Sequence, residues 1–188
     1  MPLFAMDTGM CRHDVCVGTF MMPFGRSEIV HHVMKIILIA VGSRSPAWVK
    51  QGFLDYAGRL PRHCSLELVE VPAVSRKHGD LGKIRREEGK RLLDRIPKGC
   101  HVVALSEDGI DISTKMLADA LAGWMGQGSD VALMVGGADG MSEACRERAN
   151  SCWSLSSLTF PHALARVIVA EQLFRAWSML SNHPYHRG

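Results

Sequence analysis

No apolar run in this chain reaches the length of a membrane-spanning helix, so no transmembrane helix is expected. A glycine-rich dinucleotide fingerprint (Gly-x-Gly-x-x-Gly) is missing, and so is a phosphate loop ending in Gly-Lys-Ser or Gly-Lys-Thr. Also missing are a Gly-x-Ser-x-Gly nucleophile elbow and a His-Glu-x-x-His zinc motif. These absences argue against the commonest oxidoreductase, nucleotidase, serine hydrolase and zinc protease designs. The six cysteines (Cys11, Cys16, Cys64, Cys100, Cys145 and Cys152) show no repeated Cys-x-x-Cys pair. They read as free thiols in a reducing compartment, which points to the cytoplasm. Neither sign of charge dominates, and the formal net charge is +3. That balance permits an anionic partner without requiring one.

What is present is a steady alternation of strand and helix signals that begins at Met34. Lys35–Val41 reads as a buried strand. Ser45 can cap a helix with Pro46 at its first position and Trp48, Phe53, Tyr56 and Leu60 on its inner side. Leu66–Val71 reads as a strand, residues 72–80 as a loop, and Leu81–Ile96 as a charged helix. His101–Leu105 has the unbroken apolar run of a central strand, and residues 106–112 read as a turn. Ser113 caps a helix to about Met125, Asp130–Val135 is another buried strand, and a short helix covers about residues 143–149. The pattern predicts an α/β fold: a mostly parallel sheet with helices on both faces. Residues 34–188 form one domain of ordinary size. Residues 1–33 lack this periodicity and read as a disordered extension, with Met34 as the structural start. Within them Cys11, His13 and Cys16, with His31 and His32, match no compact zinc spacing, so no metal is expected.

The C-terminal unit is the most distinctive. A short hydroxyl-rich strand from Trp153 ends in a Thr159-Phe160-Pro161 turn. A helix of about residues 161–180 follows, with proline in its first turn. Ala163, Val167, Ala170, Phe174 and Trp177 form one apolar stripe. Leu164, Ile168, Val169, Leu173 and Leu180 widen it beyond what a sheet alone can cover, so a second subunit is expected. Glu171, Arg175, Ser178 and Asn182 form the polar strip. The chain then closes on Asn182-His-Pro-Tyr-His-Arg187-Gly.

Three loops at strand ends can converge on one pocket: the edge at Leu105–Asp108, the glycines of residues 136–140, and the turn from Ser156 to Pro161. Paired glycines let backbone approach a ligand closely, although an ordinary tight turn has the same composition. The basic residues between Arg76 and Arg91, Lys77 and His78 among them, are balanced by acids and suit a solvated face or phosphate contact. In the tail, Arg166, Arg175, His183, Tyr185, His186 and Arg187 combine cations with a stacking ring. A single unpaired base and its phosphates are held by such groups, and a polar C-terminus can also carry them.

Four stretches carry a resemblance: residues 135–140 (Val-Gly-Gly-Ala-Asp-Gly), 154–162 (Ser-Leu-Ser-Ser-Leu-Thr-Phe-Pro-His), 166–177 and 182–187. With the opening at residues 34–42 and Pro46–Val49, they closely resemble the large-subunit rRNA pseudouridine N3-methyltransferase family of the SPOUT class. The resemblance runs from Met34 to Gly188, with Ala138-Asp139 where the family usually has Pro-Glu. It implies a C-terminal trefoil knot, a homodimer, and S-adenosyl-L-methionine held by Leu105, Gly136, Gly137, Ser156, Ser157, Leu158, Thr159, Phe160 and Pro161. The implied substrate is 23S rRNA in the assembled ribosome, with no membrane and no metal. Two other readings remain open, a SPOUT enzyme acting on tRNA and a non-catalytic ribosome-binding factor. The reaction moves a methyl group to a nitrogen that must lose a proton, so a base or an anion-stabilising cation is needed. His183, His186, Arg175 and Tyr185 are the catalytic candidates, with Arg166 and Arg187 as substrate contacts.

Overall fold

The computed structural model describes residues 33–42, 45–76 and 80–187, with only the backbone of residue 187. The extension and the Cys11, His13, Cys16, His31 and His32 group lie outside the described residues, apart from Val33. Lys77 and His78 lie outside them too.

Five strands alternate with five helices: β1 (Met34–Val41), α1 (Ala47–Ala57), β2 (Cys64–Val71), α2 (Leu81–Leu93), β3 (His101–Asp111), α3 (Thr114–Gln127), β4 (Val131–Val135), α4 (Glu143–Arg148), β5 (Ser151–Ser154) and α5 (His162–Leu180). A turn of 3-10 helix at Pro184–Arg187 ends the described chain. The strands form one sheet in the order β2-β1-β4-β3-β5. Every neighbouring pair is parallel. The α/β fold with helices on both faces is therefore present.

Side-chain alternation along the strands builds two cores. Ile36, Leu38, Val103, Leu133 and Val135 face the layer containing Phe53, Leu121, Trp124, Val169 and Phe174. Ile37, Ile39, Val102, Ala132 and Met134 face the layer containing Leu92, Met141 and Cys145. So α1, α3 and α5 cover one face, and α2 and α4 the other. The central strands β1 and β4 carry almost no polar side chain, as burial on both faces demands. Cys64, Cys100, Cys145 and Cys152 are free thiols, and burial pushes Cys64 up to about 11.

Three local readings are corrected. Ser45 does not cap α1; Pro46 holds that position, and the Ser45 hydroxyl donates to Glu70 at 3.0 Å instead. Trp48 is 58% exposed, while Val49 turns inward beside Phe53. Residues 106–111 are not a simple turn, because β3 runs on to Asp111. Leu105 and Ile110 both register with Trp153 of β5, so residues 106–109 loop out between them. Ser113 does cap α3, accepting the Met116 N–H at 3.2 Å. Gly128 closes that helix at φ 64°, the left-handed conformation suited to glycine.

Candidate active site

A cavity of about 430 Å³ opens at the C-terminal ends of β3, β4 and β5. Parallel α/β sheets bind ligands at this edge, because loops leaving neighbouring strands diverge there. One wall is the loop after β4, with Gly136, Gly137, Ala138 and Asp139. Another is the bulge of β3, with Leu105, Ser106, Glu107 and Asp108. The segment after β5 supplies Ser154, Leu155, Ser156, Leu158, Thr159 and Phe160. Arg85 of α2, Arg146 of α4 and His162 of α5 reach the rim.

The glycines are needed on steric grounds. A Cβ on Gly137 would sit 2.2 Å from Glu88 Oε2. At Gly136 it would lie 2.9 Å from the Gly140 carbonyl oxygen. The Gly140 N–H returns to the Gly137 carbonyl at 2.9 Å, and Gly140 takes φ +85°, so the loop is a tight hairpin-like turn. Behind it Glu88 is 2% exposed. Its Oε1 accepts the Val74 N–H at 2.9 Å and lies 3.6 Å from Arg76 Nη2. Arg76 Nε–H in turn donates to Asp139 at 2.8 Å. A buried carboxylate thus ties the segment after β2 to the glycine loop. The opposite wall is pinned by Arg146, which donates to Asp108 at 2.9 Å. In the segment after β5, Ser156 Oγ accepts the Leu158 N–H at 3.0 Å, and Ser154 Oγ donates to the Ser156 carbonyl at 2.9 Å.

Leu105, Gly136, Gly137, Ser156, Leu158, Thr159 and Phe160 therefore come together around one cavity. Ser157 and Pro161 belong to the same turn but not to the cavity wall. The Leu105–Asp108 edge that the sequence offered as a wall is there, Glu107 and Asp108 included. The sequence reading placed Arg85 only on a basic face, and it missed Arg146 and His162 as wall residues. His162, directly after the Phe160-Pro161 turn, carried a local signal, whereas Arg85 and Arg146 come from α2 and α4. The partial burial of His162 lowers its pKa below the usual histidine value. Arg166 and Arg76 lower it further, while Glu88 and Asp139 pull the other way.

The tail lies elsewhere. Helix α5 has 19 residues. At about 1.5 Å per residue it carries the chain about 27 Å from His162 to Leu180. The tail then folds back onto the C-terminal half of the helix, where Arg175 pairs with Glu171 at 2.8 Å and lies 4.9 Å from the Tyr185 ring centroid. The Tyr185 hydroxyl donates to Glu171 at 3.1 Å and lies 3.5 Å from the Tyr56 hydroxyl. Burial, then hydrogen bonding to Tyr56 and Glu171, raises the Tyr185 pKa well above that of a free phenol. His183 packs edge-on against Phe174, and its Nδ1 accepts the Tyr185 N–H at 3.3 Å. His186 Nδ1 lies 2.6 Å from the His183 carbonyl oxygen. The Arg187 side chain lies outside the described residues.

Arg166 sits between the two sites and is 2% exposed. It donates to the Val41 carbonyl at 2.9 Å, the Gly42 carbonyl at 2.6 Å and Glu70 Oε1 at 2.6 Å, and it also donates to Ser45 Oγ. These bonds turn its guanidinium inward.

A cavity of this size at the strand ends, walled by a glycine turn and a hydroxyl-rich turn, is a small-molecule site on an α/β sheet. Residues 34–186 match the family model "Predicted SPOUT methyltransferase", and the chain belongs to that family. The branch is that of ribosomal RNA large subunit methyltransferase H. The protein so named from Thioalkalivibrio sulfidiphilus is 57% identical over 155 residues, covering 82% of this chain and 99% of that one. Its counterpart in Methylococcus capsulatus is 52% identical over 155 residues, covering 82% of this chain and 100% of that one. Among solved structures, a probable methylase family protein from Haemophilus influenzae Rd KW20 aligns at a TM-score of 0.42 and 16% identity, over 81% of this chain and 68% of that one.

Proposed function

We propose that this chain methylates N3 of a pseudouridine in 23S rRNA of the assembled ribosome, using S-adenosyl-L-methionine and working as a homodimer. The observation that carries the reading is the convergence of the loops after β3, β4 and β5 on one cavity, in a chain of the methyltransferase H branch. The cavity fits the cofactor by size and by chemistry. Its volume of about 430 Å³ lies in the range of small-molecule sites. Leu105, Leu158 and Phe160 offer apolar surface to a purine, and the rim carries charges of both signs that suit a zwitterionic amino-acid end. When bound, the cofactor supplies an electrophilic methyl group on a sulfonium. A deep trefoil knot in the segment after β4 belongs to the same proposal.

The chain's own groups do the rest. The glycine turn and the Ser156–Pro161 turn orient the donor and exclude water, which is where much of the acceleration in such a transfer arises. The target nitrogen must lose its proton. Tyr185 keeps its own proton at neutral pH, so it serves as a hydrogen-bond donor or stacking ring and not as the base. His183 and His186 are left as proton acceptors, and Arg175 as the cation facing the developing oxyanion. Arg166 acts by positioning, since a direct substrate contact would break its bonds to β1 and β2. The homodimer reading gains support from geometry. The pocket lies at the N-terminal end of α5 and the tail packs on its C-terminal half, where Tyr185 meets Glu171 about 14 Å along the axis from His162, so the two stand apart within one subunit. A partner lying across the pocket mouth would bring its tail there, and Leu158 at that mouth is 70% exposed.

The test uses labelled cofactor and three acceptors: ribosomes lacking the modification, separated large subunits, and bulk tRNA. The expected result is label in large-subunit rRNA, mapping to a pseudouridine. Label confined to tRNA would refute the substrate. No label together with no cofactor binding would leave a ribosome-binding factor.

A further inference from the structure

Beside His162, the rim of the cavity carries five ionic side chains of both signs: Arg85, Glu107, Asp108, Asp139 and Arg146. Two of them are already paired, Arg146 with Asp108 at 2.9 Å and Asp139 with Arg76 at 2.8 Å. Arg85 and Glu107 have no ion pair or hydrogen bond among the described residues. They come from separate elements and line the same cavity. Arg85 projects from α2, and Glu107 from the residues that loop out of β3. That bulge is built, because Gly109 lies so close to Trp153 that a Cβ would fall 2.4 Å from its carbonyl carbon. Its position is further held by the Asp108–Arg146 pair.

We infer that Arg85 and Glu107 hold the amino-acid end of the cofactor, Arg85 its carboxylate and Glu107 its ammonium. The inference rests on the cofactor reading of this cavity. Two unpartnered ions of opposite sign on one rim match a zwitterion. An RNA phosphate asks for cations alone, and Glu107 on the same rim would repel it. Arg85 lies outside the stretches that the sequence reading assigned to the pocket, and Glu107 lies within the Leu105–Asp108 edge, with no role given to it there.

The test is calorimetry on the full-length protein with two ligands. S-adenosylhomocysteine carries the amino-acid end, and methylthioadenosine lacks it. Arg85→Ala and Glu107→Gln should each weaken S-adenosylhomocysteine about fivefold or more, as expected for loss of a charge-assisted contact, and change methylthioadenosine by less than about twofold. Arg85→Lys should recover part of the loss. Equal weakening of both ligands, or of neither, overturns the inference. So does an Arg85→Ala variant whose only change is a shallower salt dependence of RNA binding, which would make Arg85 a phosphate contact. A native protein that binds neither nucleoside overturns the cofactor reading along with it.

Discussion

At the scale of single residues, the site depends on atoms that are not there. Gly137 is bare because Glu88 occupies the space a Cβ would need. Gly137→Ala must push that buried carboxylate aside, which costs about 1–3 kcal/mol by analogy with overpacked cores. A drop in denaturation midpoint with loss of S-adenosylhomocysteine binding is the expected result; a variant with native stability and affinity would contradict the steric account. Histidines set a pH dependence. Burial lowers the pKa of His101 below its ordinary 6.5, and His162 is lowered by burial and by the nearby arginines. The unfolded chain then binds more protons than the native one just below 6.5. Stability therefore rises with pH through the interval between the native values and 6.5, and is lost as pH falls through it. Melting temperatures measured across this interval should climb with pH. The climb should shrink in a His101→Gln, His162→Gln double variant.

At the scale of elements, Arg166 locks α5 to the ends of β1 and β2. Arg166→Met leaves Glu70 unpaired and two strand-end carbonyls without their donor. A cost of about 3–5 kcal/mol is expected if the pair behaves as a buried one. Denaturant titration checks this, and adding Glu70→Leu should recover part of the loss. The inward turn of Arg166 was not legible in the sequence. In the helix pattern it is one more cation, and its partners lie 96 and 125 residues away. The exposure of Trp48 was hidden for a related reason, since only the packed helix reveals that Val49 takes the inner place. The extension of β3 depends on Trp153 pairing with two residues at once, and no local signal announces that. By contrast, β1, β4 and α3 were readable because their burial is simple. Unbroken apolar runs mark the strands, and Ser113 and Gly128 bracket the helix. The cavity was largely readable: the Leu105–Asp108 edge and the glycine and Ser156–Pro161 turns carry it in contiguous stretches, whereas Arg85 and Arg146 reach it from α2 and α4.

At the scale of the whole molecule, the cavity lies at the N-terminal end of α5, and the Arg175, His183, Tyr185 and His186 group packs on its C-terminal half. In the proposed homodimer each site is composite, the cavity of one subunit facing the tail of its partner. Light scattering should give the mass of two chains, and dilution to monomer should abolish methyl transfer. The most direct measurement mixes two inactive proteins. One carries Gly137→Ala, which spoils the cavity; the other carries His183→Ala with His186→Ala, which spoils the tail. After subunit exchange at equal amounts, half the dimers are mixed, and each holds one intact cavity facing one intact tail. The account predicts recovery of roughly a quarter of native activity, from the statistics of a twofold assembly. If the mixture is as inactive as its components while subunit exchange is demonstrated, the composite site is contradicted.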